Sequence, residues 1–316
     1  MLQTVKPLAP ADLCWLDPAD CGPGSPHPYL LVDTDAGALD EQAVAALPCP
    51  VLGLGKFDPA CDTHVERRDI VRVATAIHKA PLAAMVLVQL MRMTQSMSPQ
   101  AALIAESMAF ATLQQGLEFK RWLSDTGSRS AAGPPARAPL LIRQERSSLH
   151  LTLNRPDEHN KIDVAMRDAL CEALDLAVLD RGICQVVLTG AGKMFSSGGS
   201  LREFGTTKDA AVAHWVRTLR LPAQRLLQLG PRLVVHMNGP AIGAGIEMAA
   251  FAHRVTASRK AWFQLPELSY GLLPGAGGTV SIARRIGRHR LVWLALSMAR
   301  VRAAQAHSWG LLDALS

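Results

Sequence analysis

The stretch NGPAIGAGIEMA, residues 238–249, links two apolar patterns of different period through a glycine-rich loop. Before it, RLVVHM (232–237) is a short apolar run typical of a buried strand. From Ala244 onward the pattern predicts a helix to about residue 253, and RVTAS (254–258) predicts the next strand. Strand, helix and strand in this order indicate right-handed units around a mostly parallel sheet.

The same order repeats upstream of this stretch. SLHLTL (148–153) alternates leucine with polar residues and predicts a strand, and CQVVLT (184–189) predicts a strand buried on both faces. Between them we expect a helix that Asp163 caps and that ends near Gly182. Further helices follow, with a break at Pro222. The second half of the chain is therefore predicted to be an α/β domain.

The first half has a weaker pattern. YLLVD (29–33), LDEQAVAAL (39–47) and PVLGL (50–54) predict one strand–helix–strand unit. Residues 67–93 and 99–123 are predicted to be helical, with a serine and a proline at 98 and 99 as cap and first turn.

A Gly-, Ser-, Ala- and Pro-rich stretch, DTGSRSAAGPPARAP (125–139), separates the two halves and is typical of a linker. We therefore predict an N-terminal extension over 1–124 and a core domain over 140–316.

Composition narrows the classes of function. The 316 residues include 49% hydrophobic and 19% charged residues, and the net charge of +6 suits an anionic small molecule without indicating nucleic acid. Six widely spaced cysteines without a CxxC pair predict buried thiols and no metal site. The N-terminus lacks the pattern of a signal peptide, and the longest apolar run (80–91) is short for a membrane helix. We expect a soluble cytoplasmic protein that binds no nucleic acid and no membrane.

Three glycine loops stand out: GKMFSSGGSL (192–201), NGPAIGAGIE (238–247) and GLLPGAGG (271–278). None fits a phosphate-loop or dinucleotide fingerprint. The first two follow predicted strands, so the backbone N–H groups of Gly199 and Ala244 could converge on one carbonyl oxygen as an oxyanion hole. The alternative is that these glycines only permit tight turns between strand and helix.

Two glutamates lie near these loops in the sequence. Glu247 is in the first turn of the helix that begins at Ala244, where it could simply favour the helix dipole. A helix of about 15 Å and a returning strand of about 16 Å bring the chain back to the level of Glu247 before Glu267. The two carboxylates could thus face one pocket. Apolar neighbours would help Glu267 keep a proton, unless it is a surface carboxylate.

Four motifs in order carry a family resemblance. LNRPDEHNKID (153–163), GKMFSSGGSLREF (192–204), NGPAIGAGIEMA (238–249) and LPELSYGLLPGAGGTVSIARRIG (265–287) resemble the crotonase, or enoyl-CoA hydratase/isomerase, superfamily over about residues 140–315. The resemblance implies a crotonase-like ββα spiral that binds an acyl-CoA thioester and forms trimers or paired trimers. Coenzyme A would be part of the substrate, and no separate cofactor is expected.

The resemblance also implies roles for individual residues. The N–H groups of Gly199 and Ala244 would polarise the thioester carbonyl. Glu247 matches the glutamate that activates water for attack on Cβ, and Glu267 matches the one that exchanges a proton at Cα. Both glutamates are present, so the resemblance favours hydration of a 2-enoyl-CoA. An isomerase, hydrolase or decarboxylase on the same fold is the first alternative, and a non-catalytic scaffolding subunit is the second.

The candidates for contact with coenzyme A are Lys161, Ser197 and Arg202. The sequence departs from the family where Ser200 stands in place of a frequent aspartate. His214, Trp215 and Arg217 lie on the helix that lines the acyl pocket in the family, and a packing role is expected for them.

The family also continues beyond the motif near Ser316 with helices that cover the site, and residues 98–123 resemble that helical tail. We therefore expect the N-terminal extension to pack where those helices lie in the family, within one chain or across subunits.

Overall fold

The computed structural model describes residues 6–126 and 137–316. The strands are β1 (Leu30–Asp33), β2 (Val51–Leu54), β3 (Thr63–His64), β4 (Leu140–Glu145), β5 (Ser148–Leu153), β6 (Gln185–Gly190), β7 (Leu233–Met237), β8 (Ala241–Ile242), β9 (Arg254–Ala257), β10 (Trp262–Gln264), β11 (Val301–Arg302) and β12 (Ala314–Leu315). The helices are α1 (Glu41–Ala46), α2 (Ile70–Lys79), α3 (Pro81–Met93), α4 (Pro99–Gln114), α5 (Leu117–Asp125), α6 (Val164–Leu179), α7 (Ala210–Arg220), α8 (Ala223–Leu229), α9 (Ala244–Ala249), α10 (Gly278–Ile286), α11 (Arg288–Ser297) and α12 (Ala303–Ser308).

A six-stranded sheet in the order β12-β9-β7-β6-β5-β4 forms the centre of the second half of the chain. All its strand pairs are parallel except the β4–β5 hairpin. Leucines and valines at equivalent positions pair across the central strands, as Leu151 with Leu188 and Leu188 with Val235. The predicted strands β5, β6, β7 and β9 are confirmed. The sequence reasoning did not find β4, which is mostly exposed.

The prediction that the strand at 184–189 is buried on both faces is wrong. In β6 and β7 buried residues alternate with partly or fully exposed ones. Val187 and Val234 extend the apolar run in the sequence, but they lie on the second face of the sheet, where they are only half-buried. The continuous apolar run in the sequence therefore led to an overestimate of the burial of the second face of the sheet.

Two helix ends also differ from the prediction. Helix α9 ends at Ala249 instead of near residue 253, so it is about 9 Å long at 1.5 Å per residue. Helix α6 begins as expected at the Asp163 cap, whose carboxylate accepts the Met166 N–H at 2.9 Å. It ends at Leu179, three residues before the glycine at 182.

A second sheet, β11-β10-β8, positions the chain that follows β9. Strand β10 pairs in parallel with β8, with Phe263 opposite Ala241 and Gln264 opposite Ile242. Strand β8 leads directly into α9, and β10 leads into the 3-10 helix Glu267–Tyr270. This pairing brings the start of α9 and Glu267 to the same end of one small sheet.

The first half of the chain forms the predicted strand–helix–strand unit followed by helices. Strands β1 and β2 pair in parallel, with Leu31 opposite Leu52, and β3 adds a third strand. The predicted helical stretch 67–93 is two helices, α2 and α3, which meet at Ala80 before a proline. Ser98 caps α4 as predicted, accepting the Ala101 N–H at 3.2 Å. Residues 127–136 of the predicted linker lie outside the described residues.

The two halves share one core. A single cluster of buried apolar residues includes Leu87 and Phe119 from the first half and Leu188 and Phe195 from the second. We name residues 6–126 the N-terminal segment. Among the described residues, no single helix is long and apolar enough to cross a membrane; α2 with α3 and the turn after it reaches that length only as a pair bent by 106°.

Candidate active site

A cavity of about 220 Å³ lies between the first two glycine loops (192–201 and 238–247), helices α6, α7 and α9, and helix α4 of the N-terminal segment. It brings all four of the predicted catalytic residues together. Its wall includes residues of both halves of the chain: Phe110, Gln114, Ile162, Gly199, Ser200, Glu203, Phe204, Ala213, Arg217, Ala244, Glu247, Glu267 and Ala276.

The first loop presents the Gly199 N–H to this cavity. Its neighbours bond to the strand-like residue Ile162: the Ile162 N–H donates to the Gly198 carbonyl at 2.8 Å, and the Ser200 N–H donates to the Ile162 carbonyl at 2.9 Å. Successive groups of an extended chain point to opposite sides, so the Gly199 N–H points away from Ile162. Within residues 6–126 and 137–316 it has no hydrogen-bond acceptor.

The second loop places the Ala244 N–H beside the first. Ala244 opens α9, and no acceptor within the described ranges takes its N–H, as is usual for the first turn of a helix. The two loops are in close contact, because a Cβ built on Gly198 would lie 3.4 Å from the Ala244 nitrogen and 2.6 Å from the Ile242 carbonyl oxygen. Two N–H groups that have no acceptor in the described part of the chain therefore border one cavity.

Glu247 is buried beneath the cavity and is held by backbone. Its Oε2 accepts the N–H of Ala276 at 2.7 Å and that of Gly278 at 2.9 Å. Burial raises the pKa of Glu247 well above its usual range, and the charges of Glu267 and Glu106 raise it further. The two N–H donors oppose this rise because they stabilise the ionised carboxylate.

Glu267 is also buried, with 8% exposure against 1% for Glu247, but it has fewer hydrogen bonds. Its Oε1 is next to the second loop, where a Cβ on Gly243 would approach it to 2.5 Å. Gly243 also has a φ of 48°, so both its conformation and its space require glycine. The buried Oε2 has no hydrogen-bond partner among the described residues. Burial raises the pKa of Glu267 to about 8, and the charge of Glu106 acts in the same direction.

The different hydrogen bonding of Glu247 and Glu267 indicates which of the two carboxyl groups carries a proton. Two neighbouring buried carboxylates resist being ionised together. Two N–H groups of other residues stabilise the ionised form of Glu247, whereas the backbone N–H that lowers the pKa of Glu267 is its own. The geometry therefore favours the negative charge on Glu247 and the proton on Glu267. In general, a site with a base, an acid and two N–H donors directed at one oxygen can stabilise an enolate while it moves protons.

The residues predicted to contact coenzyme A do not line this cavity. Lys161 pairs with Glu158 at 2.9 Å, Arg202 is exposed, and Ser197 donates its N–H to the His159 carbonyl at 2.9 Å. Their sequence neighbours Ile162, Ser200 and Glu203 form the wall instead. A contact of Lys161, Ser197 or Arg202 with coenzyme A stays a prediction.

Helix α7 packs against the N-terminal segment, as the packing role predicted for it implies. His214 Nδ1 and Arg217 Nε both lie within hydrogen-bond distance of Ser107 Oγ, at 3.0 and 3.2 Å. The Arg217 guanidinium also donates to the Gly275 carbonyl and lies over the Phe110 ring, 4.2 Å from its centre. Trp215 is 62% exposed and does not line the cavity, so the packing role expected for Trp215 is wrong. Arg217 thus joins three parts of the cavity wall.

Comparison with known proteins identifies the class of this fold and site. The family model described as enoyl-CoA hydratase/isomerase matches residues 143–316. The chain therefore belongs to the enoyl-CoA hydratase/isomerase family, with the crotonase-type α/β fold, and is an enzyme of that family.

Two relatives from Escherichia coli strain K12 are similar in sequence. The 2,3-dehydroadipyl-CoA hydratase is 35% identical over 174 residues, which is 55% of this chain and 68% of the relative. The 1,2-epoxyphenylacetyl-CoA isomerase is 34% identical over 179 residues, with the same two shares. The family thus includes both hydratases and isomerases.

Solved structures support the same fold. An enoyl-CoA hydratase from Thermoplasma volcanium GSS1 matches with a TM-score of 0.51 and 29% identity over 57% of this chain and 72% of that chain. A structure from Thermobifida fusca YX, described as a putative enoyl-CoA hydratase in complex with acetoacetyl-CoA, matches with a TM-score of 0.51 and 26% identity over 56% and 73% of the two chains.

Proposed function

We propose that the protein hydrates a 2-enoyl-CoA thioester in the cavity bordered by Gly199 and Ala244. The observation that carries this proposal is that Glu247 and Glu267 line one cavity, Glu247 held by two backbone donors and Glu267 with an oxygen that has no partner among the described residues. The related structure with acetoacetyl-CoA supports a CoA thioester as the class of ligand.

In the proposed reaction each glutamate has one role, and the two N–H groups share a third. Ionised Glu247 takes a proton from water, whose oxygen bonds to Cβ of the substrate. The π electrons of the Cα–Cβ double bond move toward the thioester oxygen, where the Gly199 and Ala244 N–H groups stabilise the enolate. Each donor of this kind is worth about 3 kcal/mol in other oxyanion holes. Glu267 then gives its proton to Cα. Return of the proton from Glu247 to Glu267 restores the site.

Replacing Glu267 by glutamine tests this proposal. The wild-type chain is expected to consume crotonyl-CoA, followed as loss of enoyl-thioester absorbance. The E267Q variant is expected to lose at least about 100-fold in kcat, the lower end of a general acid's contribution. Binding of acetoacetyl-CoA should be retained, which shows that the variant is folded. Unchanged turnover in E267Q would contradict the proposed role.

The substrate set should extend beyond crotonyl-CoA. Arg167 and Arg220 also line the cavity, so 2,3-dehydroadipyl-CoA, whose acyl chain ends in a carboxylate, is a suitable second substrate. Because the family is described as enoyl-CoA hydratase/isomerase, a 3-enoyl-CoA is the third. Conversion of the 3-enoyl-CoA with no hydration of either 2-enoyl-CoA would favour the isomerase over the hydratase.

A further inference from the structure

A third buried carboxylate lies behind the acid–base pair, and it comes from the N-terminal segment. Glu106 stands on α4 and is completely buried, in a helix whose buried neighbours are mostly apolar. Its Oε1 accepts the Gly277 N–H at 2.7 Å, and its Oε2 accepts the N–H and the hydroxyl of Thr279 at 3.0 and 2.6 Å. Three hydrogen-bond donors thus converge on one buried carboxylate, and such charge-assisted hydrogen bonds are strong and specific.

The hydrogen bonds to Glu106 alternate along the backbone with the hydrogen bonds to Glu247. Along residues 276–279, the N–H groups of Ala276 and Gly278 point to Glu247, and those of Gly277 and Thr279 point to Glu106. Four successive backbone donors thus alternate between one carboxylate of the core and one of the N-terminal segment. Neither carboxylate can keep its partners if the backbone here shifts, so the position of Glu247 depends on Glu106.

We propose that Glu106 is a positioning residue for the acid–base pair: it fixes the backbone that holds Glu247 and keeps a negative charge behind both cavity glutamates. The inference rests on the proposed hydration for its effect on turnover, but its effect on the titration of the site does not depend on any reaction.

The charge of Glu106 has a second consequence. Glu106 raises the pKa of both Glu247 and Glu267 by repulsion, with burial as the larger cause in each. Burial raises the pKa of Glu106 itself, while the hydroxyl of Thr279, the charge of Arg217 and the backbone N–H donors oppose this rise. Among the described groups that perturb these two carboxyls, Glu106 is the acid contributed by the N-terminal segment. Removal of its charge should therefore lower both pKa values.

The test compares E106Q with E118Q. Glu118 is a matched control, since it also belongs to the N-terminal segment and its carboxylate also accepts two backbone N–H groups, those of Leu82 and Ala83 at the start of α3. E106Q is expected to lower kcat for crotonyl-CoA about 100-fold, as a misplacement of about 1 Å can do, with little change in KM. E118Q should keep the wild-type kcat.

The titration is measured directly by ¹³C NMR of glutamate side-chain carboxyl carbons, with E267Q used to assign the Glu267 signal. The Glu267 midpoint should move to lower pH in E106Q and stay in place in E118Q. A merely structural role for Glu106 would not give this directional shift. Absence of turnover in the wild type would reject the proposed hydration, while the midpoint shift would still decide the role of Glu106.

A second variant guards against loss of folding in E106Q. Thr279→Val removes the 2.6 Å hydroxyl donor without changing the charge of the cluster. It is expected to lower kcat less than E106Q does and to leave KM near the wild-type value. Wild-type kcat in T279V, or wild-type kcat and midpoint in E106Q, would overturn the proposal.

Discussion

The two halves of the chain contribute to the cavity in different ways. Residues 143–316, which match the family model, supply both glycine loops and both cavity glutamates. The N-terminal segment supplies part of the cover, Phe110 and Gln114, and the buried Glu106 behind the pair. The groups proposed to touch substrate therefore come from one half, while the groups that hold and enclose them come partly from the other. The family match alone describes an incomplete site.

Deletion of residues 1–126 is the most severe test of whether the second half of the chain depends on the first. The core shared by both halves would lose residues such as Leu87, Phe110 and Phe119, and each large buried side chain contributes about 1.5–3 kcal/mol. We expect the remainder to be insoluble or unfolded when expression and circular dichroism are measured. Co-expression of residues 1–126 as a separate chain is the control. A stable and active 127–316 fragment would show that the two halves are independent.

A single methyl group at the contact between the halves should have the next largest effect. A Cβ on Gly275 would lie 2.2 Å from the Phe110 ring. Gly275→Ala is expected to reduce the free energy of unfolding by about 1–3 kcal/mol, the usual cost of overpacking, as measured by urea denaturation.

The double variant G275A/F110A sharpens this prediction. Truncation of Phe110 removes the clash, so the two changes together should cost less than the sum of the single changes. Gly182→Ala is the control, since its Cβ would meet only the flexible Asp180 side chain. Strict additivity of G275A and F110A would contradict direct contact between the halves at this point.

Stability should also depend on pH through Glu267. Burial raises its pKa from 4.5 to about 8, so the folded state binds a proton that the unfolded state releases. The associated stabilisation is fully present below about pH 4.5 and is lost as the pH rises toward 8. In urea denaturation over this range, E267Q should lose less stability than the wild type, whereas the exposed-site variant E172Q should follow it. Parallel curves for E267Q and the wild type would refute this assignment.

Much of the fold followed from the sequence because its period changed clearly between strands and helices. The alternating leucines of β5 and the Asp163 cap of α6 are local signals, and both were confirmed. Burial of the second sheet face was overestimated, since an apolar run such as that around Val187 does not show what covers it. The end of α9 was misplaced because no breaker follows Ala249 in the sequence.

The site was predictable to a similar extent. The four residues expected from the motifs do line one cavity, although their chemical roles stay predictions. The contribution of Glu106 was missed as a contact with residues 277–279, because these partners are about 170 positions apart in the chain. A glutamate on the buried face of an otherwise apolar helix was the available signal. No local pattern could have supplied its partner.

The central claim is that one cavity holds a thioester carbonyl between the N–H groups of Gly199 and Ala244. Infrared difference spectroscopy of acetoacetyl-CoA labelled with ¹³C at the thioester carbonyl measures this directly, with the full chain as the binding protein. Two aligned donors polarise the C=O bond, so its stretching frequency should be lower in the complex than in water. A frequency in the bound state equal to or above that in water would contradict the account.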